Sequence, residues 1–265
     1  MARSRVGERA PRGFVFVGVL AALFLTLPVL GLVVRAPWGS AAERLSRPGV
    51  GEAIRLSAIC ATTSTLVALS LGVPLGWILA HGRFPGRGLL RAVVLVPLLL
   101  PPLVSGVGLF SVLGRRGSLG RVLYDLFGFA LPFSTAGVVV AVSFVALPFV
   151  VITMESGFRS VDRRLAYAAA TLGASPGAVA RTVTLPLVAP ALAAGAALAW
   201  ARSLGEFGAT VTFAGNLPGR TQTLPLATFL ALETDLDQAV LLSMLLLIPT
   251  IIVLALLRNR WRPMA

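Results

Sequence analysis

Two charged side chains stand inside a run that is otherwise apolar. Arg202 and Glu206 lie four residues apart in WARSLGEFGATVTF. On a helix that spacing puts both on one face, where opposite charges pair. A lone charge at mid-membrane depth costs about 2.5–3.5 kcal/mol on insertion scales, and less toward the interface. The pair therefore either pins its helix to a neighbour or lines the outer vestibule or gate of a pathway. Gly205 and Gly208 flank Glu206 and permit close helix approach or bending. Ser203, Thr210 and Thr212 add hydroxyls, and Phe207 adds a ring that either plugs the pathway or packs. A second hydroxyl set, Ser57, Thr62, Thr63, Ser64 and Thr65, lies upstream. Such groups offer a crossing anion modest, replaceable donors. Equally, they bond back to their own helix.

Other chemistries are excluded by composition. All 23 basic residues are Arg, so the chain lacks the Lys that a Walker A phosphate loop requires. The single Cys60 permits no internal disulfide and argues against a Cys-built metal site. His81, the only His, sits beside Gly82 and Arg83 and reads as an interfacial helix-end residue. No nucleophile–base pair is apparent, so an enzyme is not expected, nor a cofactor or metal held by this chain.

The elements that carry these residues must be membrane spans. The chain has 265 residues, 57% hydrophobic and 12% charged, where a soluble domain carries about 25% charge. That predicts an all-α polytopic membrane protein, with residues 1–265 forming one transmembrane domain. Six spans are expected at about 14–34, 53–80, 92–113, 135–154, 187–213 and 238–257. Pro97, Pro101 and Pro102 predict a bent third span. The net charge of +13 is carried by Arg between apolar runs, as topology determinants are, rather than by a nucleic-acid face. With both termini cytoplasmic, the tails (Arg3, Arg5, Arg9, Arg12; Arg258, Arg260, Arg262) and two loops (Arg83, Arg87, Arg91; Arg159, Arg163, Arg164, Arg181) hold the larger share of Arg. Arg115 and Arg116 then fall outside and are the discordant pair.

The longest inside loop, 155–186, reads ESGFRSVDRRLAYAAATLGASPGAVARTVTLP. Ser160 is a candidate N-cap, with Asp162 in the first turn, where the helix dipole favours an anion. Val161, Leu165, Ala168 and Leu172 recur at helical spacing, and Gly173 suits a left-handed C-terminal position. Ser175 as N-cap and Pro176 at the first helical position predict a second short helix. The hairpin is either gripped by a partner or laid on the membrane surface.

This loop resembles the EAA motif of ATP-binding cassette importer permeases. That motif runs Glu-Ala-Ala, three residues, Gly, nine residues, an aliphatic residue, any residue, then Leu-Pro. Ala168, Ala169, Gly173, Val183, Leu185 and Pro186 fall in register, while Tyr167 stands in the place of Glu. Gly72 to Leu109 and Trp200 to Phe229 are similar to oxyanion importer permeases. The GEFGA core is shared with the molybdate and sulfate/thiosulfate branches, and GRTQTLPLA is similar to the molybdate branch.

The resemblance implies a permease subunit of an ATP-driven importer in a prokaryotic cytoplasmic membrane, with six helices and both termini inside. The oxyanion would be molybdate, with tungstate or sulfate/thiosulfate as alternatives. A proton-coupled secondary transporter is the rival class; it calls for internal repeats and several intramembrane acids, and neither is seen. Implied partners are a second permease subunit in a homodimer, two ATPase subunits that bind ATP and Mg, an extracytoplasmic oxyanion-binding protein and membrane lipid, with no nucleic acid. Ala174 joins the coupling loop in this reading, and Asn216, Arg220, Thr221 and Gln222 form a candidate binding-protein contact.

Overall fold

The structure, a computed structural model, describes residues 11–258, and all its regular elements there are helical. Arg3, Arg5, Arg9, Arg260 and Arg262 lie outside the described residues. The first helix, α1 (Arg12–Arg35), leads through a short turn and α2 (Ala41–Leu45) into α3 (Val50–His81). Next come α4 (Arg87–Leu99), α5 (Pro102–Leu113), α6 (Ser118–Phe127) and α7 (Thr135–Ser160). The loop holds α8 (Arg163–Thr171) and α9 (Pro176–Val179), followed by α10 (Leu185–Leu204), α11 (Gly208–Phe213), α12 (Leu224–Thr234) and α13 (Leu236–Arg258). Among the described residues, five helical stretches are long and apolar enough to cross a membrane, and the bent pair α4–α5 supplies a sixth if it counts as one span.

The core is built on α3 and α7, which run parallel. Gly72 faces Val150 and, one turn on, Gly76 faces Met154. A Cβ at Gly76 would stand 2.8 Å from the Met154 Cβ and 3.1 Å from the Val151 carbonyl oxygen. The missing side chain is what lets the two backbones touch. Helix α10 runs antiparallel to α7: Gly157 faces Ala191, and Gly195 faces Thr153. Ala68, Ala146, Val150, Met154, Val188 and Ala199 fill the space between these three helices. Helix α1 stays at the periphery, where Ala36 packs on Val240 and Met244. The end of α1 and the start of α13 therefore share one end of the molecule.

Several expected boundaries are corrected. The third span is not one bent helix: α4 and α5 meet at 116°. Pro101 and Pro102 supply no backbone N–H, and a residue before proline is driven from the helical region, so Leu100 is extended at φ −68°, ψ 136°. The fifth span also breaks, at 205–207, between α10 and α11. Helix α7 runs on to Ser160, so Glu155 is helical and the loop starts six residues later than its expected first residue. The second loop helix is not a separate short piece, because α9 passes through a π-turn, Ala180–Thr184, into α10. Helices α6 and α12 lie in stretches read from sequence as connections.

Candidate functional site

The break after α10 organises the charged pair. Gly205 closes α10, and its N–H donates to the Ala201 carbonyl. Glu206 is 2% exposed. One carboxylate oxygen accepts from the Ala209 N–H at 2.8 Å, which caps the first turn of α11. The other meets the Arg202 guanidinium at 2.6 Å. A spacing of four predicts one continuous helix for both residues; the structure keeps the pair and sets it across a helix junction. Gly208 is needed there, since a Cβ would come 2.6 Å from the Pro102 Cβ. The two broken spans thus touch at their breaks.

The hydroxyls divide by partner. The Ser64 hydroxyl lies 3.1 Å from that of Ser203, linking α3 to α10. The Ser57 hydroxyl accepts from the Leu224 N–H at 2.6 Å, and Thr62 accepts from the Trp200 indole at 3.2 Å. Thr65 and Thr212 donate back to their own helices. Thr63 is exposed, whereas Thr210 is buried and its hydroxyl has no hydrogen-bond partner among the described residues. Phe207 packs beside Phe229, with ring centroids 5.1 Å apart.

The turn after α8 closes by a specific pair of bonds. The Gly173 N–H donates to the Ala170 carbonyl at 3.0 Å, and the Ala174 N–H to the Ala169 carbonyl at 3.1 Å. This is the Schellman arrangement, and it puts Gly173 at φ +89°. Asp162, not Ser160, is the N-cap of α8, accepting from the Arg164 N–H at 2.9 Å. Ser160 ends α7 and donates back to the Gly157 carbonyl. Ser175 caps the next helix by accepting from the Ala178 N–H at 3.3 Å, with Pro176 at its start. Leu165, Ala168 and Leu172 are exposed, Leu172 at 89%, so this apolar stripe has no cover among the described residues. Tyr167 is 67% exposed and lines a cavity of about 700 Å³ with Trp77, Phe158, Pro176 and Leu185. Val183, Leu185 and Pro186 carry the π-turn into α10. One continuous helical rod therefore joins the Gly173 turn to the Glu206 junction.

Two ion-pair clusters escaped the sequence reading. At the loop end, the buried Glu155 carboxylate takes Arg159 at 2.7 Å and also Arg91. Arg159 and Arg87 reach the Leu79 carbonyl in the last turn of α3. At the opposite end, Arg44 grips Asp235 through both oxygens at 2.8 and 2.7 Å, and Arg47 adds a bond of 2.8 Å. Hydrogen bonds from Arg47, the Gln238 N–H and Arg44 lower the Asp235 carboxyl from 3.8 to about 2. Only the Glu155–Arg159 spacing was legible locally; the other partners are far away in sequence. Nearby, Thr221 is fully buried and accepts from the Leu217 N–H at 2.9 Å, so it holds a turn rather than facing a partner. Arg220 is exposed, and Asn216 and Gln222 are half-buried.

Residues 72–263 match the family described as binding-protein-dependent transport system inner membrane component. The chain is 42% identical over 238 residues to the molybdenum transport system permease protein ModB of Mycobacterium bovis, covering 90% of each chain. It is 39% identical to ModB of Escherichia coli K12, covering 79% of this chain and 92% of that one. The sulfate transport system permease protein CysT of Salmonella typhimurium is 35% identical over 80% of this chain and 77% of its own. In fold, the chain resembles a subunit of a bacterial importer of alginate, with a TM-score of 0.72 at 14% identity, covering 94% and 96% of the two chains. The breadth of these matches, together with the paired parallel spans and the EAA-type turn, places the chain in the family of binding-protein-dependent transport system inner membrane components.

Proposed function

We propose that the chain is the membrane-spanning permease subunit of an ATP-driven importer that carries molybdate across the cytoplasmic membrane. The observation that carries this reading is the 39–42% identity, over most of the chain, to permeases named for molybdenum transport. The chain supplies the path and the lever, and ATP with Mg acts in a separate ATPase subunit. Six spans, with α4 and α5 as one broken crossing, put both termini on the side of the 161–186 loop, the cytoplasmic side by its Arg content. Two permease chains, two ATPases and an extracytoplasmic binding protein complete the assembly.

Within it, the uncovered stripe of α8 seats in the ATPase. Movement of the Gly173 turn passes along α9 and α10 to the junction at Glu206. Arg202, Ser203, Gly205, Glu206, Phe207, Gly208 and Thr210 form or support the gate there. Arg202 is the more exposed member of the pair, its side chain 30% exposed, while Glu206 holds it in place. A sulfate-carrying reading keeps a specific footing in the sulfate permease relative. The test is uptake of labelled molybdate by the reconstituted assembly, with tungstate and sulfate as competitors. Sulfate displacing molybdate at equal concentration overturns the molybdate assignment.

A further inference from the structure

Helix α6 has no role in the transport scheme, and its surface is unlike that of a connection. Leu119, Val122, Leu123 and Leu126 recur at i, i+3, i+4 and i+7, which gathers them on one face. Arg121, Tyr124 and Asp125 occupy the other. Three of the four are uncovered, Leu126 at 70%, while Leu123 is half-buried.

Both ends of α6 are tied to the same level, the C-terminal end of α5. At its start, the Gly117 N–H donates to the Gly114 carbonyl at 2.7 Å, and Gly120 packs against the Leu113 and Gly114 carbonyls. Beyond its finish, Leu131 packs on the same buried cluster (Ala141, Val145, Ala209, Phe213) as Leu109 and Leu113 of α5, and the Phe133 ring lies 6.2 Å from that of Phe110. A helix held at both ends at the limit of an apolar span lies across that limit, not along the span. The charges fit the same level. Arg115 donates to the Tyr124 hydroxyl at 2.8 Å. Arg121 pairs loosely with Asp125 at 3.7 Å. Arg116 is exposed and has no hydrogen bond or ion pair among the described residues.

We propose that α6 lies in the bilayer interface, with its apolar stripe in the acyl chains and Arg115 and Arg116 holding the phosphate of an anionic phospholipid. An exposed Arg pair beside an amphipathic helix has charge complementarity to that headgroup, and the bared leucines continue the apolar band of α5. This accounts for two Arg at an end where Arg is otherwise disfavoured. It rests on the reading of α3, α7 and α10 as bilayer spans.

The test uses the assembled transporter in nanodiscs containing phosphatidylglycerol, on a Cys60→Ser background. Spin labels at Leu126→Cys and Asp125→Cys report collisions with oxygen, which partitions into lipid, and with a water-soluble nickel chelate. The Leu126 label is expected on the lipid side and the Asp125 label on the water side. Native mass spectrometry is expected to show phosphatidylglycerol retained by the unaltered chain and weakened about fivefold for each Arg removed, in Arg116→Gln and in Arg115→Gln/Arg116→Gln. Arg116→Gln removes an unpartnered surface group and keeps the comparison valid if the double variant folds poorly. Equal water exposure at both label sites, unchanged lipid retention, or protection of the Leu126 label only after adding a binding protein overturns the proposal. A label at the exposed Leu66 of α3 separates the outcomes, because water exposure there would sink the spanning reading itself.

Discussion

Glu206 is the residue whose surroundings most constrain its chemistry. Its carboxylate is buried, and both oxygens are committed, one to Arg202 and one to the cap of α11. Removing one member of a buried pair typically costs about 3–5 kcal/mol, less where water reaches. Arg202→Ala is therefore expected to lower folded yield sharply, because it strands the carboxylate. Glu206→Gln keeps an acceptor for the Ala209 N–H and is expected to fold better than Glu206→Ala. Replacing both charges by apolar residues should recover much of the yield but not uptake per folded molecule. Fluorescence-detected size exclusion alongside uptake rates measures both; recovered uptake in the double variant would reduce the pair to scaffold. Asp235 sets a second expectation. Its carboxyl falls from 3.8 to about 2 when folded, so the stabilisation it gives is complete above pH 4 and is lost as pH drops through about 2. Asp235→Asn should remove that acid limb from the unfolding profile. The same residues show what sequence conveys. Arg202 and Glu206 were legible as a pair because four residues separate them. Arg44 and Asp235 were not, since only the folded chain brings together positions 191 residues apart.

At the scale of elements, local chemistry fixed some boundaries and tertiary contact fixed others. The Gly173 turn follows from sequence: a left-handed residue is required, and glycine meets it without a steric penalty. A non-glycine residue there costs about 1–2 kcal/mol, and a β-branched one more. Gly173→Val is expected to insert and to lose uptake, with ATPase activity freed from substrate control; full uptake with normal ATPase association would remove the lever. The break of the fifth span was not legible, although Gly205, Glu206 and Gly208 mark it. Glycine is common in unbroken membrane helices, and only the contact with Pro102 shows why this one parts. Asp162 displaced Ser160 as the cap because α7 continues six residues beyond its apolar run. The α3–α7 contact yields a packing prediction. Gly76→Leu drives a side chain into the Met154 Cβ, and overpacking of this kind costs about 1–3 kcal/mol. Lowered thermal stability in detergent is expected, with a milder effect for Gly195→Ala, whose added Cβ would meet Thr153 at 3.4 Å.

At the scale of the molecule, each end carries its own cluster of paired arginines. At the loop end Arg83, Arg163, Arg164 and Arg181 make no ion pair among the described residues, while Arg91 and Arg159 share Glu155. At the other end Arg44 and Arg47 are bound by Asp235, with Asp237 3.2 Å from Arg44. A raw Arg count therefore overstates the positive charge of that end in the folded protein. Orientation by Arg excess responds to basic residues near span ends, and acidic residues contribute little to it during insertion. The aspartates thus act after insertion, by neutralising arginines that the folded protein leaves close together. The expected topology follows. In intact cells lacking the ATPase subunit, a cysteine placed at exposed Leu172 should be shielded from an impermeant maleimide and become reactive after permeabilisation. A cysteine at exposed Asp125, on the polar face of α6, should react in intact cells. Asp235→Asn with Asp237→Asn should lower stability yet leave both labelling patterns unchanged, because insertion precedes pairing. Labelling of Leu172 from outside would invert the molecule and put the Gly173 turn beyond the reach of any cytoplasmic ATPase.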